Sequence, residues 1–181
     1  MKPIKIDNIS GKLDALFTPF INTGSKFGIS ANHISLLQVP FVPVFLFALM
    51  YKALTYAFIA LAITLVLDLL DGAWARVTND ITKKGHIYDK AMDLLGIYAF
   101  LIGATIGFPE LIFINVILGI STALIYFTNE YIEPELYCGV RSFALLGLLF
   151  QNLYPFLLVS AMSGIAMLLF KVVKAVKFVK S

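Results

Sequence analysis

Charge is scarce in this chain of 181 residues: 14% are Asp, Glu, Lys or Arg, against 60% hydrophobic. With a mean hydropathy of +0.89, that balance excludes a typical soluble domain and leaves a single membrane domain spanning 1–181. Cysteine is nearly absent. The lone Cys138 rules out an intrachain disulfide framework or a cysteine-based metal site, and it reads as a small apolar residue. His33 has no second ligand to pair with and reads as interfacial. Residues 1–30 lack the uninterrupted apolar run of a secretory leader, so no cleaved signal is expected. The net charge of +3 is modest and says little about partners; nucleic acid is not expected among them.

What charge there is collects in one place. The run Asp68-Leu69-Leu70-Asp71-Gly72-Ala73-Trp74-Ala75-Arg76 is followed, after eight residues, by Gly85-His86-Ile87-Tyr88-Asp89-Lys90-Ala91-Met92-Asp93. An acid within a membrane segment must find a partner to offset its desolvation, so it is a functional candidate by default. On a helix, Asp68, Asp71, Gly72 and Ala75 share one face, as do Gly85, Asp89 and Asp93. Four carboxylates facing one cavity would repel one another and raise one another's pKa. A hard divalent cation, Mg²⁺ or Mn²⁺, resolves that conflict, and this many oxygen ligands could bridge two ions. The small residues at 72, 75 and 85 leave room for a ligand, and Arg76 offers a fork-shaped phosphate contact.

The pattern Asp-x-x-Asp-Gly-x-x-Ala-Arg, eight residues, Gly-x-x-x-Asp-x-x-x-Asp resembles the signature of the CDP-alcohol phosphotransferase family, with each of its eight fixed positions met. The resemblance implies an integral membrane enzyme of six transmembrane helices that moves a substituted phosphate from a CDP-linked donor to an alcohol and releases CMP. By that likeness Asp68, Asp71, Asp89 and Asp93 hold the metals, and Asp93 also serves as the base for the acceptor hydroxyl. Asp68, Gly72, Ala75, Arg76 and Gly85 line the nucleotide. Lipid synthesis is the implied pathway, CDP-diacylglycerol or CDP-archaeol the implied donor, and a homodimer the implied assembly. No nucleophilic Cys or Ser is needed, so direct in-line displacement is the simpler chemistry.

Taken along the chain, the fold expected is all-α: an N-terminal amphipathic surface helix and six membrane spans. In the cytosolic juxtamembrane segment 1–30, Leu13, Leu16, Phe17, Phe20 and Ile21 recur at helical spacing with Lys12 and Asp14 opposite, and Pro19 should bend or end that helix. Gly28-Ile29-Ser30-Ala31-Asn32-His33-Ile34-Ser35 offers Ser30 and Asn32 as caps and loosely resembles the Pro-Asn-x-x-Thr start of the family, without the proline. The six-helix bundle, 34–170, comprises spans over about 34–50 (kinked by Pro40 and Pro43), 54–75, 85–108, 111–127, 137–150 and 156–170. Residues 171–181 form a basic cytosolic tail. With both termini inside, every Lys and Arg except Lys52 falls on the cytosolic side, which satisfies the positive-inside rule and opens the aspartates to the cytosol, in the cell membrane of a prokaryote.

Arg141 starts the fifth span and must find an anion or water. Two readings stand: it binds the phosphate of a phosphorylated acceptor, or it pairs with Glu130, Glu133 or Glu135. The arginine-rich segment that phosphorylated-acceptor branches carry near the fourth span is replaced here by Tyr126-Phe127-Thr128-Asn129-Glu130. Gly103 with Gly107, and Gly119 with Ala123, are spaced for close helix packing, and Trp74 reads as an interfacial anchor. A different class of function, a divalent-cation or proton-coupled transporter, would also place aspartates in membrane helices. It would favour acids spread through the bilayer midplane, whereas these sit at helix ends.

Overall fold

The computed structural model describes the backbone of residues 7–79, 83–128 and 140–179, with side chains throughout except at 7–10, 12, 13, 83–90, 127, 128 and 174–179. Among the described residues the chain is entirely helical: α1 (Asp7–Lys26), α2 (Ala31–Leu36), α3 (Phe41–Met50), α4 (Leu54–Thr78), α5 (Lys83–Gly107), a 3₁₀ turn at Pro109–Leu111, α6 (Ile112–Thr128), α7 (Val140–Leu149) and α8 (Leu153–Val179). Four stretches are long and apolar enough to cross a membrane: Ala31–Met50, Leu54–Thr78, Pro109–Tyr126 and Leu153–Val173. Their windows are only 28–33% buried within the protein. Apolar side chains such as Val66, Ile102, Phe113 and Met162 lie on the outside, as suits helices that face lipid.

Two of the six expected spans fall short on this measure. Ala91–Gly107 is a shorter apolar helix because the first turns of α5 carry charge, and Val140–Leu149 has 10 residues. Gln151 ends α7 in a left-handed turn (φ 54°), with Asn152 N–H reaching back to the Gly147 carbonyl at 2.8 Å. Residues 137–139, where the fifth span was expected to begin, lie outside the described residues. At the other end, α8 continues past Phe170 through Val179.

The chain divides into two compact units, Met1–Val42 with Ala62–Leu95 and Pro43–Leu61 with Gly96–Ser181. In the first, α1 continues past Pro19 without a break. The hydroxyls of Thr18 and Thr23 donate to the carbonyls of Asp14 (2.6 Å) and Pro19 (2.9 Å), supporting the turns on either side. The helix stops at Gly28, whose positive φ of 75° allows Ile29 N–H to bond the Gly24 carbonyl and Gly28 N–H the Ser25 carbonyl, a Schellman closure. Ser30 then caps α2: its N–H and hydroxyl both meet Nδ1 of His33, at 3.1 and 2.9 Å. His33 is therefore the reciprocal partner of a helix cap.

The apolar side of α1 divides in two. Ile21 is fully buried and Phe17 half-buried, whereas Leu16 and Phe20 are 70% and 62% exposed. Asp14, Phe17, Ile21 and Gly24 follow one another at three and four residues, so Asp14 belongs to the inward stripe. That stripe packs on Trp74, which is 1% exposed at the centre of a core with Ile21, Ala31, Ile34 and Ala73. Trp74 is thus a core residue and not an interfacial anchor; its ring fills the space left by the missing side chain of Gly24, and Phe20 meets it edge-on at 6.2 Å.

The first membrane stretch is broken where proline requires it. Pro40 has no N–H to give, and residues 37–40 form a turn bridged by short-range bonds such as Gln38 N–H to the Ser35 carbonyl and Phe41 N–H to the Gln38 carbonyl. The consequence is local: Ser35 and Gln38 come to face the same way.

In the second unit the glycine pair of α5 works within the chain. A Cβ on Gly103 would sit 2.8 Å from the Leu46 carbonyl oxygen, and one on Gly107 would strike the Leu49 carbonyl, so α3 and α5 touch backbone to backbone. Between α5 and α6, Asn115 donates to the Thr105 hydroxyl (2.8 Å) and the Tyr98 hydroxyl donates to the Gly119 carbonyl (2.9 Å). α6 and α7 both pack on α8. Lys171, placed with the basic tail by sequence, is 3% exposed on α8 and reaches the Ile125 carbonyl at 3.4 Å. Gly107→Ala is expected to lower stability by about 1–3 kcal/mol, because backbone must move to admit the methyl group. Gly11→Ala, with no atom near its Cβ position, should be neutral or slightly stabilising; unfolding of the purified protein in detergent compares the two.

Candidate active site

The end of α4 carries the first half of the acidic pattern on an unbroken helix. Asp68, Asp71, Gly72 and Ala75 share a face; Asp71 is 5% exposed and the other three are half-buried. Asp93 is half-buried on α5, and the α5 backbone sets Gly85, Asp89 and Asp93 on one face at intervals of four. The side chains of Gly85, Asp89, Lys83, Lys84 and Lys90 lie outside the described residues. All four motif aspartates belong to the first compact unit.

Asp71 is held by partners that the acidic pattern alone did not name. The Ser35 hydroxyl donates to its Oδ2 at 2.5 Å and the Gln38 amide to the same oxygen at 3.4 Å. All three residues are buried. A hydroxyl on a carboxylate at this distance is a charge-assisted bond, and in an apolar setting it fixes the carboxylate's direction. The available signal was the run Asn32-His33-Ile34-Ser35, in which Ser35 stands where the resembling motif has threonine.

Arg76 is engaged as well. Its Nε donates to both carboxylate oxygens of Asp14, at 3.2 and 3.1 Å, and its Nη2 donates to Oδ1 at 2.8 Å. The fork expected to meet a phosphate thus has one edge on a carboxylate of α1. The remaining nitrogen, Nη1, lies over Gly72, where a Cβ would be 3.3 Å away. That follows from the backward lean of helical side chains, which lays residue 76 over residue 72. The guanidinium beside Asp14 holds that carboxyl below its usual value of 3.8, chiefly through the hydrogen bonds.

Among the described residues no group of three or more acidic, His or Cys side chains is gathered as a metal site. The donor chemistry nonetheless fits a hard divalent cation: Asp68, Asp71 and Asp93 offer oxygen alone, and Asp71 is already oriented by neutral donors. Arg141 belongs to the second unit, is 8% exposed and is the second residue of α7. Its suggested partners Glu130, Glu133 and Glu135, and Cys138, lie outside the described residues.

Residues 29–177, most of the chain, match the family model described as CDP-alcohol phosphatidyltransferase. No curated protein matches the chain.

Two outcomes are expected from the hydrogen bonds. A double-mutant cycle of Ser35→Ala and Asp71→Asn should show a coupling of about 1–2 kcal/mol in unfolding experiments, since a buried carboxylate loses a charge-assisted bond. The Asp14–Arg76 pair is exposed by 22% and 45%, so its stability contribution should not exceed about 1 kcal/mol. Because the folded carboxyl titrates below 3.8, that contribution is complete above 3.8 and disappears as pH falls through the lowered value. The difference between wild type and Asp14→Asn should vanish in the same acid range.

Proposed function

The chain belongs to the CDP-alcohol phosphatidyltransferase family, a family of transferases, and on that premise we propose that it is a membrane phosphotransferase of phospholipid synthesis. It moves a phosphatidyl or archaetidyl group from CDP-diacylglycerol or CDP-archaeol to an alcohol and releases CMP. What carries this reading is the complete eight-position pattern on α4 and α5, within the stretch that matches the family. The transporter reading is set aside, since the matched family is one of transferases.

In this proposal Asp68, Asp71, Asp89 and Asp93 hold Mg²⁺ or Mn²⁺, the cations on which the family generally depends. Bound there, two ions would neutralise the pyrophosphate and make its phosphorus electrophilic. The remaining work falls to the chain. Asp68, Gly72, Ala75 and Gly85 line the nucleotide, with small residues admitting it close to the backbone, and Arg76 contacts a phosphate oxygen. Asp93 takes the acceptor's hydroxyl proton on a carboxylate oxygen as the new P–O bond forms. The phosphoanhydride bond breaks, and the electron pair leaves on CMP. Arg141 binds the acceptor's phosphate where the acceptor has one.

The wider arrangement is part of the same proposal. One membrane domain, 1–181, crosses the bilayer six times, with the two shorter apolar helices completing the count, and it works as a homodimer in a prokaryotic cell membrane. The aspartates face the cytosol, as the lysine and arginine distribution favours. α1 lies on the inner surface with Leu16 and Phe20 toward lipid, in keeping with their exposure of 70% and 62%.

Purified enzyme with a CDP-linked lipid, a panel of alcohols with and without phosphate, and Mg²⁺ or Mn²⁺ should release CMP; no release with any of them would remove the proposal. Asp93→Asn should reduce turnover by about 100-fold or more while metal-dependent CDP binding persists. Arg141→Ala should raise the KM for a phosphorylated acceptor alone; an unchanged KM would return Arg141 to the ion-pair reading.

A further inference from the structure

We infer that Asp14, on the surface helix α1, is a positioning residue for the nucleotide site: it holds the guanidinium of Arg76 across Gly72 so that Nη1 is presented to the donor's phosphate. The inference rests on the nucleotide role proposed above for Arg76.

Three independent observations converge on it. The first is the geometry of the pair. Asp14 accepts from Nε twice and from Nη2 once, at 2.8–3.2 Å. It thereby grips one edge of the planar fork, and a planar group held along an edge has its other nitrogen aimed. The second is where that nitrogen goes. Nη1 lies one turn back over Gly72, 3.3 Å from the place of an absent Cβ, on the side of α4 that carries Asp68 and Asp71. A side chain at 72 would crowd it, so the glycine serves the arginine as well as the ligand. The third is the anchoring of the carboxylate. Asp14 shares its stripe with Phe17, Ile21 and Gly24, and that stripe is seated on Trp74, two residues before Arg76. Ile21 and Trp74 are fully or almost fully buried, so the carboxylate is held relative to α4 by packing that does not depend on the ion pair.

Stability does not explain the pair. An ion pair this exposed adds little to folding, and Trp74 already fastens α1 to α4. Aiming Arg76 is a task it can perform at that exposure. A long side chain at a helix end otherwise samples many rotamers, and ordering it beforehand removes that entropy from the cost of binding. The surface helix is on this account part of the active site, with Asp14 acting through Arg76.

The test measures CDP binding, in the presence of Mg²⁺, to the full-length protein in detergent, alongside its thermal midpoint. Asp14→Ala should weaken CDP on the order of 10-fold with at most a small drop in midpoint, Asp14→Glu should recover most of that loss, and Arg76→Ala should weaken binding at least as much. Adding Asp14→Ala to Arg76→Ala should cost nothing further, since the carboxylate acts only through the guanidinium. If Arg76→Ala weakens CDP while Asp14→Ala leaves it unchanged or tightens it, or if the two losses add in full, the inference is overturned and the nucleotide role of Arg76 stands. If Arg76→Ala leaves binding unchanged, that role falls and takes the inference with it. If Asp14→Glu binds no better than Asp14→Ala, the carboxylate is not the operative group and the inference is likewise overturned.

Discussion

A carboxylate buried in an apolar helix bundle has to be satisfied by donors from its neighbours, and much of the first unit can be understood from how this is done for Asp71. The residue is 5% exposed, so the donors come from neighbouring side chains. Ser35 and Gln38 supply them, and both are on hand because the first membrane stretch is broken at residues 37–40. An uninterrupted α-helix would turn residues 35 and 38 some 300° apart, nearly but not fully aligned; the tighter turns before Pro40 bring them onto one oxygen. Pro40 is therefore tied to Asp71 as much as to the path of the chain.

The same helix end is fastened from a second direction. Trp74 and Arg76 follow Asp71 by three and five residues, so they leave α4 on different sides, one into the core beneath α1 and one out to Asp14. Buried packing and an exposed ion pair thus act on one short segment with different strengths. Trp74 supplies the large apolar area that holds α1 in place; the ion pair adds direction with little stability.

Sequence made the acidic pattern legible because it depends on residue type and local spacing, and a helix converts spacing into a shared face without help from tertiary structure. Most helix boundaries were legible for the same reason, with Gly28, Pro40 and Pro109 acting locally. What was not legible depended on packing. Which part of the apolar side of α1 turns inward is decided by the seat on Trp74 and not by the local pattern. Trp74 itself resembled an anchor at a membrane boundary until α1 was seen to cover it. Lys171 looked like one more charge of a basic tail, yet α8 extends far enough to bring it to the Ile125 carbonyl. The partners of Asp71 are more than 30 residues distant in sequence, beyond any local pattern.

The central claim is that the aspartates of α4 and α5 gather divalent cations for a nucleotide-activated lipid. Crystals or frozen-hydrated particles of the full-length protein prepared with Mn²⁺ and CDP would test it most directly, with anomalous scattering or density locating the ion. The account predicts Mn²⁺ among the carboxylates of Asp68, Asp71, Asp89 and Asp93, with the CDP pyrophosphate on its open side. Mn²⁺ and CDP bound elsewhere, with those four carboxylates opening onto no common pocket, would contradict it.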